Sequence, residues 1–251
     1  MAEIMGGGLN EFPFFRFAEE HMGNMFQQRL SAADLPEALR DPDGWPEELR
    51  REYGSDKGIT AAREHRQRTA DAMRVLRAAI DDFAPDIVLI WSKEQLENFG
   101  PTAMPPFCVY CYDEVTMRPH ERLAARLGDT IWGEAADTEI RVACHREGGR
   151  YLTTALANAG FDMAYAYEPL NVPGLAHTFE GLITHLDWDR RGFPYPLLPF
   201  YVNAYGHRHL SAQGWGGDGA PDPPAPTPRR CFELGAATAR ALGDSPWRVV
   251  L

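Results

Sequence analysis

Cysteine, basic charge and long hydrophobic runs are all in short supply in this 251-residue sequence. Its 4 cysteines are too few to staple a chain of this length with disulfides, so they are expected as reduced, buried thiols. Acidic residues outnumber basic ones, 36 against 25, for a formal charge of −11. Affinity for a phosphate backbone comes mostly from Lys and Arg, so nucleic-acid binding is not expected. No apolar run approaches the roughly 20 residues that a membrane-spanning helix needs. Met1-Ala2-Glu3 opens the sequence with neither a basic region nor a long apolar stretch. No secretory signal is read there, and a cytoplasmic location is the expectation.

What is present is ordinary globular composition, 44% hydrophobic and 24% charged, in a length that can bury a sizeable core. In residues 60–83, Met73, Leu76, Ile80 and Phe83 recur at spacings of three and four among charged residues, which predicts an amphipathic helix. Pro85 follows, and then Ile87-Val88-Leu89-Ile90-Trp91 reads as a strand covered on both faces. The same helix-to-strand order recurs in 146–159 before 161–167, in 177–187 before 197–203, and in 229–242 before 247–251. A short strand at 2–5 and helices at 17–30 and 46–53 are expected near the start. Four helix-to-strand units predict an α/β fold with a mainly parallel central sheet and helices on both faces. Residues 100–106 and 214–228 read as surface loops. With no repeat or linker, residues 1–251 are taken as one domain. The sequence stops at Val249-Val250-Leu251, inside a run with core-strand character, so a following element or a covering partner is expected.

Several residue patterns invite a chemical reading and have a plainer one. Cys108-Val109-Tyr110-Cys111 has the spacing of zinc and redox pairs. It lies in a strand-like segment, 107–112, where residues three apart face opposite sides. His185, Cys144-His145 and His207-Arg208-His209 are scattered imidazoles that read equally as polar loop residues. Gly6-Gly7-Gly8 lacks the Lys-Ser/Thr and the spacing of a phosphate loop. The aromatic and proline-rich run 188–200 lines a planar pocket or crosses the sheet.

Read together and in order, several stretches resemble the type III (LigB-like) extradiol ring-cleavage dioxygenases, the relatives of the protocatechuate 4,5-dioxygenase catalytic subunit. Pro85-Asp86-Ile87-Val88-Leu89-Ile90-Trp91, with Gln95-Leu96-Glu97-Asn98-Phe99 and Pro105-Pro106-Phe107, is similar to that family's second strand, site loop and return. Gly160-Phe161-Asp162-Met163-Ala164, Ala176-His177-Thr178-Phe179 and Pro199-Phe200-Tyr201-Val202-Asn203 resemble its central strand, histidine-bearing helix start and following strand. Arg230-Cys231-Phe232-Glu233-Leu234-Gly235 resembles its late helix. The resemblance implies a LigB-like α/β fold and a non-haem Fe(II) held by two histidines and a carboxylate, with open positions for a catechol- or aminophenol-type substrate and dioxygen.

Carried onto this sequence, the implied site is altered. The family's first ligand loop is matched by Gly8-Leu9-Asn10-Glu11-Phe12-Pro13, with Glu11 where a histidine is expected. Its second ligand histidine falls on Gln95. The third ligand, a glutamate, and a second active-site histidine lie in that family beyond the strand at which this sequence ends. His177 matches the histidine that acts as acid or base near the substrate, and histidine titrates near neutral pH. Glu97, Asn203 and His207 are read as pocket residues, Glu97 having the plainer reading of a solvated loop acid. Two functions follow: an iron-dependent ring-opening enzyme acting on a small aromatic substrate, or a non-catalytic partner subunit that keeps the fold without the metal. Both imply a homo- or hetero-oligomer with a LigB-like subunit.

Overall fold

The structure, a computed structural model, describes residues 2–206, 208–215 and 220–251. The chain begins with β1 (Ile4–Met5) and one 3₁₀ turn (Pro13–Arg16), then lays down α1 (Glu19–Leu30), α2 (Glu47–Tyr53) and α3 (Ile59–Phe83). There follow β2 (Ile87–Ser92), β3 (Phe107–Tyr110), β4 (Glu114–Met117), α4 (Glu121–Leu127), β5 (Ile140–Ala143) and α5 (Arg146–Asn158). β6 (Met163–Ala166), α6 (His177–Leu186), β7 (Leu197–Val202), α7 (Pro228–Gly243) and β8 (Val249–Val250) complete the order.

Six strands form one sheet in the order β1-β8-β2-β7-β3-β6. β1, β8, β2 and β7 run parallel. β3 and β6 are parallel to each other but antiparallel to β7. The expected mainly parallel α/β sheet is therefore present, with two strands reversed. β4 and β5 form a separate antiparallel ribbon. No helix among the described residues is long and apolar enough to cross a membrane.

The continuous apolar run of β2 is explained by cover on both faces. Val88 and Ile90 join Ile80 of α3 and Phe179, Ile183 and Leu186 of α6 in one core. Ile87 and Leu89 turn to the other face, against Leu152 and Leu156 of α5 and Leu234, Ala237 and Leu242 of α7. Each such side chain removed from water contributes about 1.5–3 kcal/mol before entropy is counted. Cys108 lies in the first core and Cys111 in the second, so the C-x-x-C pair straddles the sheet by strand alternation. The aromatic run after α6 crosses over the sheet: Tyr195 donates to Asp81 of α3 at 2.8 Å, and Trp188 meets Trp132 edge-on with centroids 4.9 Å apart.

Two consecutive glycines let α5 lie unusually close to this sheet. A Cβ on Gly148 would sit 2.8 Å from Ile87 Cδ1, and one on Gly149 would sit 2.8 Å from Cys111 Sγ and 3.2 Å from Leu198 Cδ1. His145 closes the helix start, its Nδ1 accepting the Gly148 N–H at 2.9 Å.

Candidate functional site

The loop after β2, the first turns of α4 and α6, and the loop after β7 meet beyond the carboxyl ends of β2 and β7. This is the edge of an α/β sheet at which ligands are usually bound. The loop after β2 is shaped from within. Glu94 is fully buried, and its carboxylate accepts the backbone N–H groups of Asn98 at 2.7 Å and Phe99 at 2.9 Å. The Tyr110 hydroxyl lies 3.4 Å from the same group. Leu96, between them, has φ of +59°, a left-handed conformation that costs a non-glycine residue energy and is held by the bonds around it.

That turn delivers Glu97 to the start of α6. The α6 cap residue, Ala176, has no side-chain hydrogen bond to offer. Glu97 supplies the missing acceptor: both of its oxygens lie 3.3 Å from the His177 N–H. A carboxylate at a helix N-terminus is also favoured by the aligned peptide dipoles. Glu97 Oε2 further lies 2.8 Å from His177 Nδ1, and Glu97 Oε1 accepts from Arg122 Nη1 of α4 at 3.0 Å. Arg122 Nη1 also lies 3.1 Å from His177 Nδ1. An ionised carboxylate only accepts, so the 2.8 Å bond to Glu97 puts the proton on Nδ1 and leaves Nε2 with the lone pair; the guanidinium, which only donates, is then packed against Nδ1 without bonding it. Nε2 makes no hydrogen bond to a described residue. Thr178 donates to the Lys93 carbonyl, tying the helix start to the loop a second time.

The electrostatics separate the acids. Burial pushes Glu97 up, but its bonds to His177 and the charge of Arg122 outweigh this and hold its carboxyl below the usual carboxylate range. Glu94 is pushed up to about 7 by burial, its backbone donors opposing and the charge of Glu97 adding. Glu180, on the next turn of α6, is pushed up to about 8 by burial and by Glu97, with Arg16 opposing. At neutral pH Glu97 is thus the fixed negative charge of the site.

Tyr205 covers one side. Asn203 Oδ1 accepts the Tyr205 N–H at 3.0 Å while the Asn203 N–H donates to Pro106 O at 3.0 Å, so the end of β7 is folded back toward the loop after β2. There the Tyr205 hydroxyl donates to the Glu94 carbonyl, and its ring stacks on His209 with centroids 3.7 Å apart.

Of the residues singled out in the sequence, Glu97 and His177 are brought into direct contact, and Asn203 acts on the site through Tyr205. Gln95 is exposed, whereas the neighbouring Glu94 is buried. Glu11 is half-buried in a loop that packs on α6 farther along: a Cβ on Gly181 would lie 3.4 Å from Glu11 O, and Asn10 O lies 2.9 Å from His185 Nδ1. His207 lies outside the described residues. Arg122 and Tyr205 were not singled out; no motif marks them, and their role depends on contacts with residues far away in sequence.

The Glu97–His177 pair does not by itself make a two-histidine, one-carboxylate iron centre. Among the described residues no three His, Cys, Asp or Glu side chains are grouped to hold a metal ion. Glu97 and His177 supply only two donors, and the cationic position beside both is taken by Arg122.

No protein-family model matches the chain. It is similar to a 2,3-dihydroxyphenylpropionate/2,3-dihydroxicinnamic acid 1,2-dioxygenase of Pseudomonas putida, 26% identical over 171 residues, which is 68% of this chain and 42% of that protein. The same activity is named for a relative in Paraburkholderia xenovorans, 26% identical over 175 residues, 70% of this chain and 43% of that protein. A third, from Klebsiella pneumoniae, is 25% identical over 127 residues, 51% of this chain and 33% of that protein. The chain thus spans less than half the length of the curated relatives it matches. Their names place the hydroxyls on ring carbons 2 and 3 and the cut between carbons 1 and 2, outside the hydroxyl pair. The similarity is to extradiol ring-cleavage dioxygenases.

Proposed function

We propose that this chain is a LigB-like extradiol-type protein acting in the ring opening of a catechol- or aminophenol-type substrate, with His177 as its acid or base. The observation that carries the reading is the Glu97–His177 pair at the carboxyl edge of β2 and β7, in a chain similar to ring-cleavage dioxygenases. His177 Nε2 takes a proton from a ring hydroxyl, or returns it to the opened product. Glu97, ionised at neutral pH, holds the ring in one tautomer and stabilises the imidazolium while the proton resides there. The buried Glu94 keeps the loop that presents Glu97 in shape.

Such ring opening uses non-haem Fe(II). Glu11 and Gln95 stand at the ligand positions of the resembled family; no metal-holding group is assembled among the described residues, and the role assigned to this chain's residues is the proton transfer. Glu97, Asn203 and His207 are proposed as pocket residues, and assembly with a second LigB-like subunit, in the cytoplasm, as the setting.

The test is oxygen uptake by anaerobically purified, Fe(II)-supplemented protein offered 2,3-dihydroxyphenylpropionate, catechol or 2-aminophenol, with the ring-opened product followed by absorbance. Uptake with at least one substrate is expected, and His177→Ala should lower it by on the order of 10²–10⁴-fold, the usual contribution of a positioned acid or base. Substrate binding without any uptake would overturn ring opening in favour of the non-catalytic partner subunit, and absence of both would overturn the reading altogether.

A further inference from the structure

We infer that Arg122 is a carboxylate-recognition residue, which holds the acidic side chain of an aromatic substrate beside His177. The inference rests on the ring-opening reading for the identity of the substrate, but its own evidence is the state of the guanidinium. One nitrogen, Nη1, is engaged, by Glu97 Oε1 at 3.0 Å and beside His177 Nδ1 at 3.1 Å. Nε and Nη2 make no hydrogen bond to a described residue, and the side chain is 55% exposed. One edge of the planar group is therefore anchored while the edge that pairs with carboxylates in a two-pronged fork stays open to the solvent.

Arg126, one turn along α4, is exposed as well, but it is Arg122 that bonds Glu97 and lies beside His177; three other arginines are committed elsewhere. Arg118 is committed to Glu139 at 2.8 Å and Glu121 at 3.8 Å, Arg190 to Glu134 at 2.8 Å, and Arg16 is buried with its Nη1 on Pro119 O at 2.8 Å. Anchoring by Glu97 also orders Arg122 in advance, so less side-chain entropy is lost when an anion arrives.

Around the pair, Arg122 and the exposed Lys93 are cations and Glu97 and the exposed Glu121 are acids, while Glu94 and Glu180 are buried and pushed toward their neutral forms. Charges of the two signs are thus balanced beside the histidine in a chain of formal charge −11, and the open edge of Arg122 is the group left to meet an anion. An aromatic ring carrying a hydroxyl for His177 Nε2 and a short carboxylated arm for Arg122 satisfies both.

Metal-free protein tests this without turnover. Calorimetric titration with 3-phenylpropionate and with 3-phenylpropionamide, equal in shape but unequal in charge, is expected to show at least about tenfold tighter binding of the carboxylate, in the range of one charge-assisted pair. Arg122→Gln should abolish that preference while leaving amide affinity unchanged, and Arg122→Lys should keep part of it. Equal affinities in the unsubstituted protein, no binding of either compound, or a preference that survives in Arg122→Gln would overturn the assignment. Loss of amide binding together with the preference would also overturn it, by showing that the substitution acts through the shape of the site. Oxygen uptake does not enter, so ring opening and carboxylate recognition fail independently.

Discussion

Glu97 carries three bonds that elsewhere are shared among several residues: to a helix N-terminus, to an imidazole and to a guanidinium. Replacing it with Gln keeps the shape and removes the charge. Urea unfolding of Glu97→Gln at pH 7 should show a loss of about 1–2 kcal/mol, the scale of a lost helix cap with a part-buried charge-assisted bond. Because the folded-state carboxyl is held below its usual range, this stabilisation is present above pH 4.5 and disappears as pH falls through the lower folded value. The gap between the two proteins should therefore close in acid, and a gap independent of pH would rule out the charge as its source. At this scale the sequence was readable for His177 by resemblance and for Glu97 by nearness to a site loop. It was mute about Arg122, 25 residues from one partner and 55 from the other, because nothing in a seven-residue helix announces a contact that only folding creates.

Secondary-structure elements show the same division between local and distant causes. The runs of β2 and β7 and the long repeat of α3 were legible because a buried strand and an amphipathic helix each impose their own period. The direction of β3 was not, since a strand apolar on both faces looks alike whichever way its neighbour runs. The β4–β5 ribbon went unread because its strands alternate between exposed and buried positions over only four residues, without the continuous apolar run that marks β3. α5 offers a sharp test of how elements pack. Gly149→Ala would drive a methyl to 2.8 Å from Cys111 Sγ and 3.2 Å from Cys111 Cα, an atom of the backbone that has no rotamer to escape into. A helix-propensity gain of about 1 kcal/mol is expected for Gly to Ala, yet overpacking of this kind costs about 1–3 kcal/mol. The variant should be no more stable than the original protein and lose up to about 2 kcal/mol in denaturant titration; a clear stabilisation would mean that α5 can retreat from the sheet.

Across the whole molecule, buried titratable groups of opposite kinds set the pH range of stability. Glu94 and Glu180 have folded values raised from 4.5 to about 7 and about 8, so the stability they contribute is complete below pH 4.5 and lost as pH rises through 7 and 8. His185, wholly buried, is lowered by burial from 6.5 to about 3, and His120 is lowered by burial and by the charge of Arg16. These imidazoles fold neutral, and protonation of the unfolded chain draws the balance away from the folded state as pH falls below 6.5. Between about pH 4.5 and 6.5 the two acids and two imidazoles oppose each other, so unfolding free energy measured across pH should be nearly level there and decline on both sides. Glu180→Gln should flatten the alkaline decline. A curve that climbs steadily to pH 8 would contradict the burial of both acids.

The helix start capped by Glu97 has one more consequence. Its carboxylate belongs to a loop 80 residues before His177 and 25 before Arg122, so it joins three separately folded stretches of chain at a single point. Fluctuations that open this point are expected to release the first turns of α4 and α6 together, so that hydrogen exchange followed by mass spectrometry finds their amide protons exchanging as one cooperative unit. A bound anion at Arg122 is linked to that opening equilibrium and shifts it by its own binding free energy. Occupancy at Arg122 would thereby be communicated to two helices that meet at the Glu97 carboxylate.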